Sequence, residues 1–266
     1  MGIGSGAGRL EPAGRPLATL CLEDGGGGKV WGMTAQQIVA ELEALGSPQI
    51  KKMWMKYGAE EPCFGVKVED MKKILKRVKG NHQLALDLYD TGIADAMYFA
   101  GLLVDDSKMT EADLERWLQG ARGGWVTDYT VPWVAGSSPH ARKIALKWME
   151  SKDEKAAVAG WRTYCSLISI APDASLDMDE IRSLLKRAES TIHDQSDSVK
   201  SAMNQFVTSV GCYVGPLHEV AVATAKSIGE ITVEQKGNCN LSPATEQIAK
   251  FAARGAVGRK RKSAKC

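Results

Sequence analysis

From Thr34 onward the sequence repeats one pattern: about 10–17 residues with apolar positions at helical spacing, then a short connector. That repetition constrains the fold more than any single motif. A helix with one apolar stripe must bury it against another helix, and connectors of about two to six residues make the neighbour antiparallel. TAQQIVAELEALG puts Ile38, Leu42 and Leu45 on one side, with Thr34 as N-cap and Gly46 as terminator. SPQIKKMWMKYG opens on Ser47-Pro48, a cap and a first-turn proline, and closes on Gly58. VKVEDMKKILKRVKG carries a core stripe (Met71, Ile74, Leu75, Val78) beside a cationic one (Lys72, Lys76, Lys79). HQLALDLYDTG and ADAMYFAGLLVDD are apolar enough to be mostly buried, and Thr110 with Asp113 three residues on reads as a capping box. No stretch alternates like a strand. The expected fold is all-α, a curved α-solenoid of HEAT-like helical hairpins with a loose period of about 40–47 residues. A compact irregular bundle is the plainer alternative.

Composition divides the chain. Residues 1–32 are rich in Gly, Pro and Ala, end in a four-glycine run and read as a disordered leader. Residues 33–253 form the helical domain, and 254–266 a basic tail. The whole chain is net +2, but the tail holds six cations (Arg254, Arg259, Lys260, Arg261, Lys262, Lys265) and no acid. The remainder carries 28 cations against 32 acids, a net −4. A nucleic-acid binder with such a body must gather its cations on one surface. The tail suits phosphate, an acidic partner or an import receptor, or simply solubilises the end of the chain. No apolar run reaches membrane-span length, and no signal-peptide segment precedes Met33. The six cysteines (21, 63, 165, 212, 239, 266) are scattered without CxxC spacing. They read as free thiols of a reducing, cytoplasmic compartment, which argues against zinc.

Chemistry concentrates in WLQGARGGWVTDYTVPW, Trp117 to Trp133. Trp125, Asp128 and Tyr129 stand at i, i+3 and i+4, so on a regular helix they share one face. Burying a lone carboxylate is costly. Asp128 therefore either caps or pairs locally, or is held among aromatic rings to meet something cationic. Gly123-Gly124 admits a close backbone or starts a helix, and Pro132 makes any helix here short or kinked. In KKMWMKYG, Trp54 and Tyr57 lie among Lys51, Lys52 and Lys56; the pattern fits stacking plus phosphate contact, or a core Trp under a solvated face. Trp161, Arg162, His193, Asn204, Gln205 and Phe206 supply polar and aromatic groups to consecutive segments of a concave wall. His193 by itself is more often a cap or surface residue, and Asn204 in mid-helix is not chosen for propensity. No GxSxG, P-loop, HExxH or helical GxGxxG is present.

The passages KKMWMKYGAEEPCFGVKVEDMKKI, LALDLYDTGIADAMYFAGLLVDD, DYTVPWVA, AGWRTYCSLIS, SAMNQFVTSVGCYV and GRKRKSAKC together resemble the bacterial DNA alkylation repair proteins, the AlkD-type HEAT-repeat DNA glycosylases. The resemblance runs from Met33 to Cys266. It implies a basic concave groove holding duplex DNA, nucleoid-associated in a bacterial cytoplasm, and hydrolysis of the N-glycosidic bond of cationic N3- or N7-alkylpurines. It implies no metal or cofactor, and no pocket for a flipped base. The family's aspartate, followed three positions on by Val-Pro, corresponds to Asp128 with Val131-Pro132. Its role would be to stabilise an oxocarbenium-like transition state and to position water. The family's tryptophan four residues earlier is replaced by Gly124, with Trp125 the nearest substitute. A later tryptophan aligns with Gln205 or Phe206. These departures alter the wall around the aspartate.

The expected site is thus Asp128 and Trp125 as catalytic groups, with Trp54, Tyr129, Trp161 and Phe206 as an aromatic wall. His193, Asn204 and Gln205 would form a polar groove; Lys51, Lys52, Lys56, Arg142, Lys143, Arg162 and Lys200 would meet phosphate. The expected partner is duplex DNA containing alkylated bases, bound by a monomer. A non-catalytic binder of damaged or branched DNA, and a protein-interaction scaffold, are the competing readings.

Overall fold

The computed structural model describes residues 32–234 and 241–265, and every described regular element is helical. In chain order the helices are α1 (Ala35–Ala44), α2 (Pro48–Lys56), α3 (Val68–Val78), α4 (His82–Tyr89), α5 (Ala94–Leu103), α6 (Glu111–Gly120) and the single turn α7 (Gly123–Trp125). A π-turn over Val126–Thr130 leads into α8 (Val131–Ser137), followed by α9 (Ala141–Met149), α10 (Glu154–Ile170), α11 (Met178–Thr191), α12 (Asp197–Tyr213), α13 (His218–Ile228) and α14 (Ala244–Ala252). Residues 1–31 of the leader, Cys21 among them, and Cys239 and Cys266 lie outside the described residues.

Local signals start these helices where the sequence places them. Thr34 and Gln37 exchange hydrogen bonds at the head of α1, and Thr110 and Asp113 do the same for α6. Pro48 occupies the first turn of α2, although the Ser47 side chain makes no capping bond. Ile38 and Leu42 are buried as the periodicity requires, whereas Leu45 follows the last helical residue of α1 and is exposed. All ten residues of α5 are buried. Its Asp95 is satisfied by the backbone N–H groups of Phe64, Gly65 and Val66, at 2.6, 3.3 and 2.7 Å, so a buried carboxylate shapes the loop before α3.

The hairpins stack into two layers, giving the HEAT-like α-solenoid. One layer runs through α5, α8, α10, α12 and α14; α6, α9, α11 and α13 back it. Two apolar clusters fill the space between layers, one centred on α4–α8 and the other on α10–α14. Ion pairs staple the backing layer: Lys143 and Lys147 of α9 reach Glu111 and Glu115 of α6, and Arg142 reaches Asp177 and Glu180 at α11. Among the described residues no single helix is long and apolar enough to cross a membrane.

The basic tail departs from the reading of a solubilising end. Gly258 N–H donates to the Cys212 carbonyl at 2.9 Å, and Arg261 N–H to Ser169 at 2.8 Å. Lys260 donates to the Ile168 carbonyl at 2.9 Å and pairs with Asp173 at 2.7 Å. Lys265 donates to Val104 and pairs with Asp106, both at 2.9 Å, and Ala264 is fully buried in the α4–α8 cluster. Residues 258–265 therefore form a strap across the C-terminal ends of α12, α10 and α5 in turn. Those ends carry unsatisfied carbonyls and the negative pole of each helix, so lysine ammonium groups are favourable there.

Candidate nucleic-acid interface

Pro132 shapes the candidate site. In an α-helix its nitrogen would have to donate to the carbonyl four residues back, that of Asp128; it carries no hydrogen, and its ring crowds that carbonyl. The chain widens instead: Val131 N–H donates to Val126, five residues back, and the turn is π. Gly123 sets the approach to this turn. Its φ is +68°, and a Cβ there would sit 2.2 Å from the Gly58 carbonyl oxygen. The close pass lets Trp125 N–H donate to that same oxygen at 3.3 Å, fastening the π-turn to the end of α2.

Around Asp128 the rings form a row. Trp54 meets Trp125 edge-on with centroids 3.5 Å apart; Trp125 to Tyr129 is 6.5 Å and Tyr129 to Trp133 is 5.9 Å. Trp54 and Trp133 are buried, Trp125 is half-buried, and Tyr129 is 44% exposed. On the other side, Nη2 of Arg162 stands 3.8 Å from Oδ2 of Asp128, beyond hydrogen-bond reach, and donates to Ser201 at 3.3 Å. The Arg162 Nε is buried without a partner. Burial pushes the Asp128 carboxyl above its ordinary value, and the Arg162 charge only partly offsets this.

These groups open into a cleft of about 230 Å³. Asp128, Tyr129 and Trp133 form one side; Arg162, Cys165, Ser166 and Ser169 of α10 form the floor. Gln205, Ser209 and Tyr213 of α12 form the far side, and Arg261 of the strap completes the rim. The Cys165 thiol is pushed up to about 11 by burial, so it stays a neutral thiol. The cleft thus holds one carboxylate, two guanidinium groups, three serine hydroxyls and exposed aromatic surface.

The sequence profile of the DNA alkylation repair enzyme family matches residues 38–248. The chain belongs to the DNA alkylation repair enzyme family. The uncharacterized protein Lin0241 of Listeria innocua is 31% identical over 224 residues, spanning 82% of this chain and 97% of its own length. The uncharacterized protein Lmo0209 of Listeria monocytogenes is 30% identical over 225 residues with the same coverage. Among solved structures, one described as a new family of proteins related to the HEAT-like repeat DNA glycosylases with affinity for branched DNA structures superposes with a TM-score of 0.83. It is 40% identical and covers 88% of this chain and 100% of its own.

Within this DNA alkylation repair fold the expected site residues separate. Asp128, Tyr129, Arg162 and Gln205 share the cleft, with Trp125 in the adjoining aromatic row. Trp161 and Phe206 do not form a wall: both are sealed in the second core cluster, centroids 5.1 Å apart, because they lie on the faces of α10 and α12 turned toward the backing layer. Trp54 is buried beneath Trp125 instead of standing in the groove. Asn204 is buried and clamps the entry to α14, donating to Ser242 at 3.1 Å and accepting from Ala244 N–H at 3.2 Å. His193 bonds the Ile228 carbonyl at 2.9 Å, at the end of α13.

The expected phosphate contacts divide as well. Arg142 and Lys143 are engaged by Asp177, Glu180 and Glu111 on the backing layer, away from the cleft. Lys51 pairs with Glu61 at 2.7 Å, and Lys200 leans on Asp197 and the Thr232 carbonyl. Lys52 and Lys56 are exposed without an ion pair among the described residues. Sequence reasoning missed Trp133, Ser166, Ser169, Ser209, Tyr213 and Arg261. Two of these stripes were readable: 162, 166 and 169 on α10 and 205, 209 and 213 on α12 recur at helical spacing with polar side chains. Arg261 carried no such signal.

Proposed function

We propose that the protein binds DNA across the layer bearing this cleft, and that it recognises the geometry of distorted or branched backbone. The observation that carries this reading is the cleft's chemistry. Arg162 and Arg261 line the cleft together with serine hydroxyls on two neighbouring helices, an arrangement that suits phosphodiester oxygens. The relative at 40% identity, described as having affinity for branched DNA structures, points the same way. So does Gly124 standing where the active pattern has tryptophan, with open space where a Cβ would stand.

Asp128 favours a second reading, excision of cationic alkylpurines. Its carboxylate is half-buried, free of hydrogen bonds and flanked by Trp125 and Tyr129, whose faces attract a cationic base. As the glycosidic bond breaks, positive charge moves onto the sugar. A carboxylate in a desolvated site stabilises that charge and orients, then deprotonates, the attacking water. Arg162 would hold a neighbouring phosphate and keep Asp128 ionised.

One experiment separates the readings. Wild type and Asp128→Asn are incubated with alkylated duplex and with an unmodified four-way junction. Backbone recognition predicts junction binding by both proteins, falling steeply with salt, and no release of 7-methylguanine or 3-methyladenine. Excision predicts release by the wild type that is lost in Asp128→Asn. Absence of DNA binding at about 50 mM salt, where phosphate contacts are strongest, defeats both and leaves the protein-scaffold reading.

A further inference from the structure

The strap does more than close the fold. Its anchored residues, Lys260, Ala264 and Lys265, turn toward the helix ends. The cations Arg259, Arg261 and Lys262 between and beside them stay exposed. Of these, Arg261 is the one that lines the Asp128 cleft, and its side chain makes no hydrogen bond or ion pair among the described residues. Its backbone is fixed by the bond to Ser169, and its charge is felt by the Tyr213 hydroxyl across the cleft rim.

We infer that Arg261 is a phosphate-binding residue, and that with Arg162 it brackets one DNA phosphodiester at the cleft. The inference rests on the DNA reading above and names the strap as its second half. Three physical points support it. The cleft holds two guanidinium groups against one carboxylate, so it carries one surplus positive charge. Guanidinium forks match phosphate oxygens in a way ammonium does not. The strap's two lysine anchors order Arg261 before DNA arrives, so little backbone freedom is lost on binding. Asp128 is not the group Arg261 serves, since it already has Arg162 as its nearest cation.

The test compares wild type, Arg261→Gln and Arg254→Gln for binding a fluorescent four-way junction across a salt series. Arg254 is an exposed cation of the same basic segment that does not line the cleft. Arg261→Gln is expected to weaken binding about tenfold and to reduce the salt slope by about one, equally for different sequences. Arg254→Gln should stay within about twofold of wild type. Because the Arg261 side chain supports no internal contact, thermal melts of the three proteins should coincide. Wild-type binding with an unchanged affinity and slope in Arg261→Gln overturns the inference. If the wild type binds no DNA, the DNA reading falls by itself, and the bracket is read directly. Titration of the full chain with inorganic phosphate should then shift the Nε–H resonances of Arg162 and Arg261, and the absence of any shift rejects it.

Discussion

Asp128 is where a single side chain sets the behaviour of the cleft. Burial makes its carboxyl hold a proton to higher pH in the folded protein than in the unfolded chain. Its contribution to stability is therefore full in acid and is lost as pH rises through the folded value. Asp128→Asn is expected to melt above the wild type at pH 7, the gap closing as pH falls into the carboxylate range, by calorimetry. Arg162 pulls the other way by favouring the ionised form. Arg162→Gln should move the Asp128 titration to still higher pH, read by carbon NMR of the carboxyl. An unmoved titration would show that 3.8 Å is too far for the pair to couple.

At the scale of elements, a π-turn carries Asp128 to the cleft. Spacing on a regular helix put Trp125, Asp128 and Tyr129 on one face; across the wider turn Trp125, Tyr129 and Trp133 make the aromatic row, and Asp128 lines the cleft with Tyr129 and Trp133. Pro132 is visible in the sequence; its answer, a π-turn instead of a kink or a helix end, depends on α5 and α10 packing against both sides. Pro132→Ala restores the missing donor, so the new amide should become protected in hydrogen exchange as an α-helical bond forms to the Asp128 carbonyl. Free exchange of that amide would mean that packing, not the proline, holds the turn open. Gly123→Ala should cost about 1–3 kcal/mol in urea denaturation, since a Cβ meets both left-handed strain and the Gly58 oxygen. A neutral result would show that the α2 junction yields easily.

Across the whole molecule, the strap links parts of the chain that the helical hairpins leave far apart in sequence. Lys265 reaches back across 161 residues of sequence to the Val104 carbonyl, and pairs with Asp106 beside it. Burial raises the Asp106 carboxyl despite the lysine next to it, so removing the lysine leaves a poorly solvated acid. Lys265→Met is expected to destabilise the protein by about 1–3 kcal/mol, and a double-mutant cycle with Asp106→Asn should recover part of the loss. Strict additivity would mean that the pair is not coupled and that the strap is held by Ala264 and backbone bonds alone. The acidic body noted in the sequence also resolves at this scale. Many of the paired acids, Glu111, Glu115, Asp177 and Glu180 among them, sit on the backing layer and are matched there by α9 cations.

The sequence by itself determined the helices, their caps, their antiparallel order and hence the two-layered solenoid. Those depend on contacts within one or two turns and on connector length, both of which are local. It also singled out Asp128, because a lone carboxylate among tryptophans is conspicuous in one dimension. Which face each long helix buries was decided only in three dimensions. Trp161 and Arg162 are adjacent in sequence, yet about 100° of helical rotation sends one to the core and the other to the cleft. The strap, too, is beyond sequence reading: six cations in a short run look the same whether solvated or laid across helix ends. Only the assembled carbonyls and acids at the ends of α5 and α10 give those lysines somewhere to bind, and they bring Arg261 to the cleft.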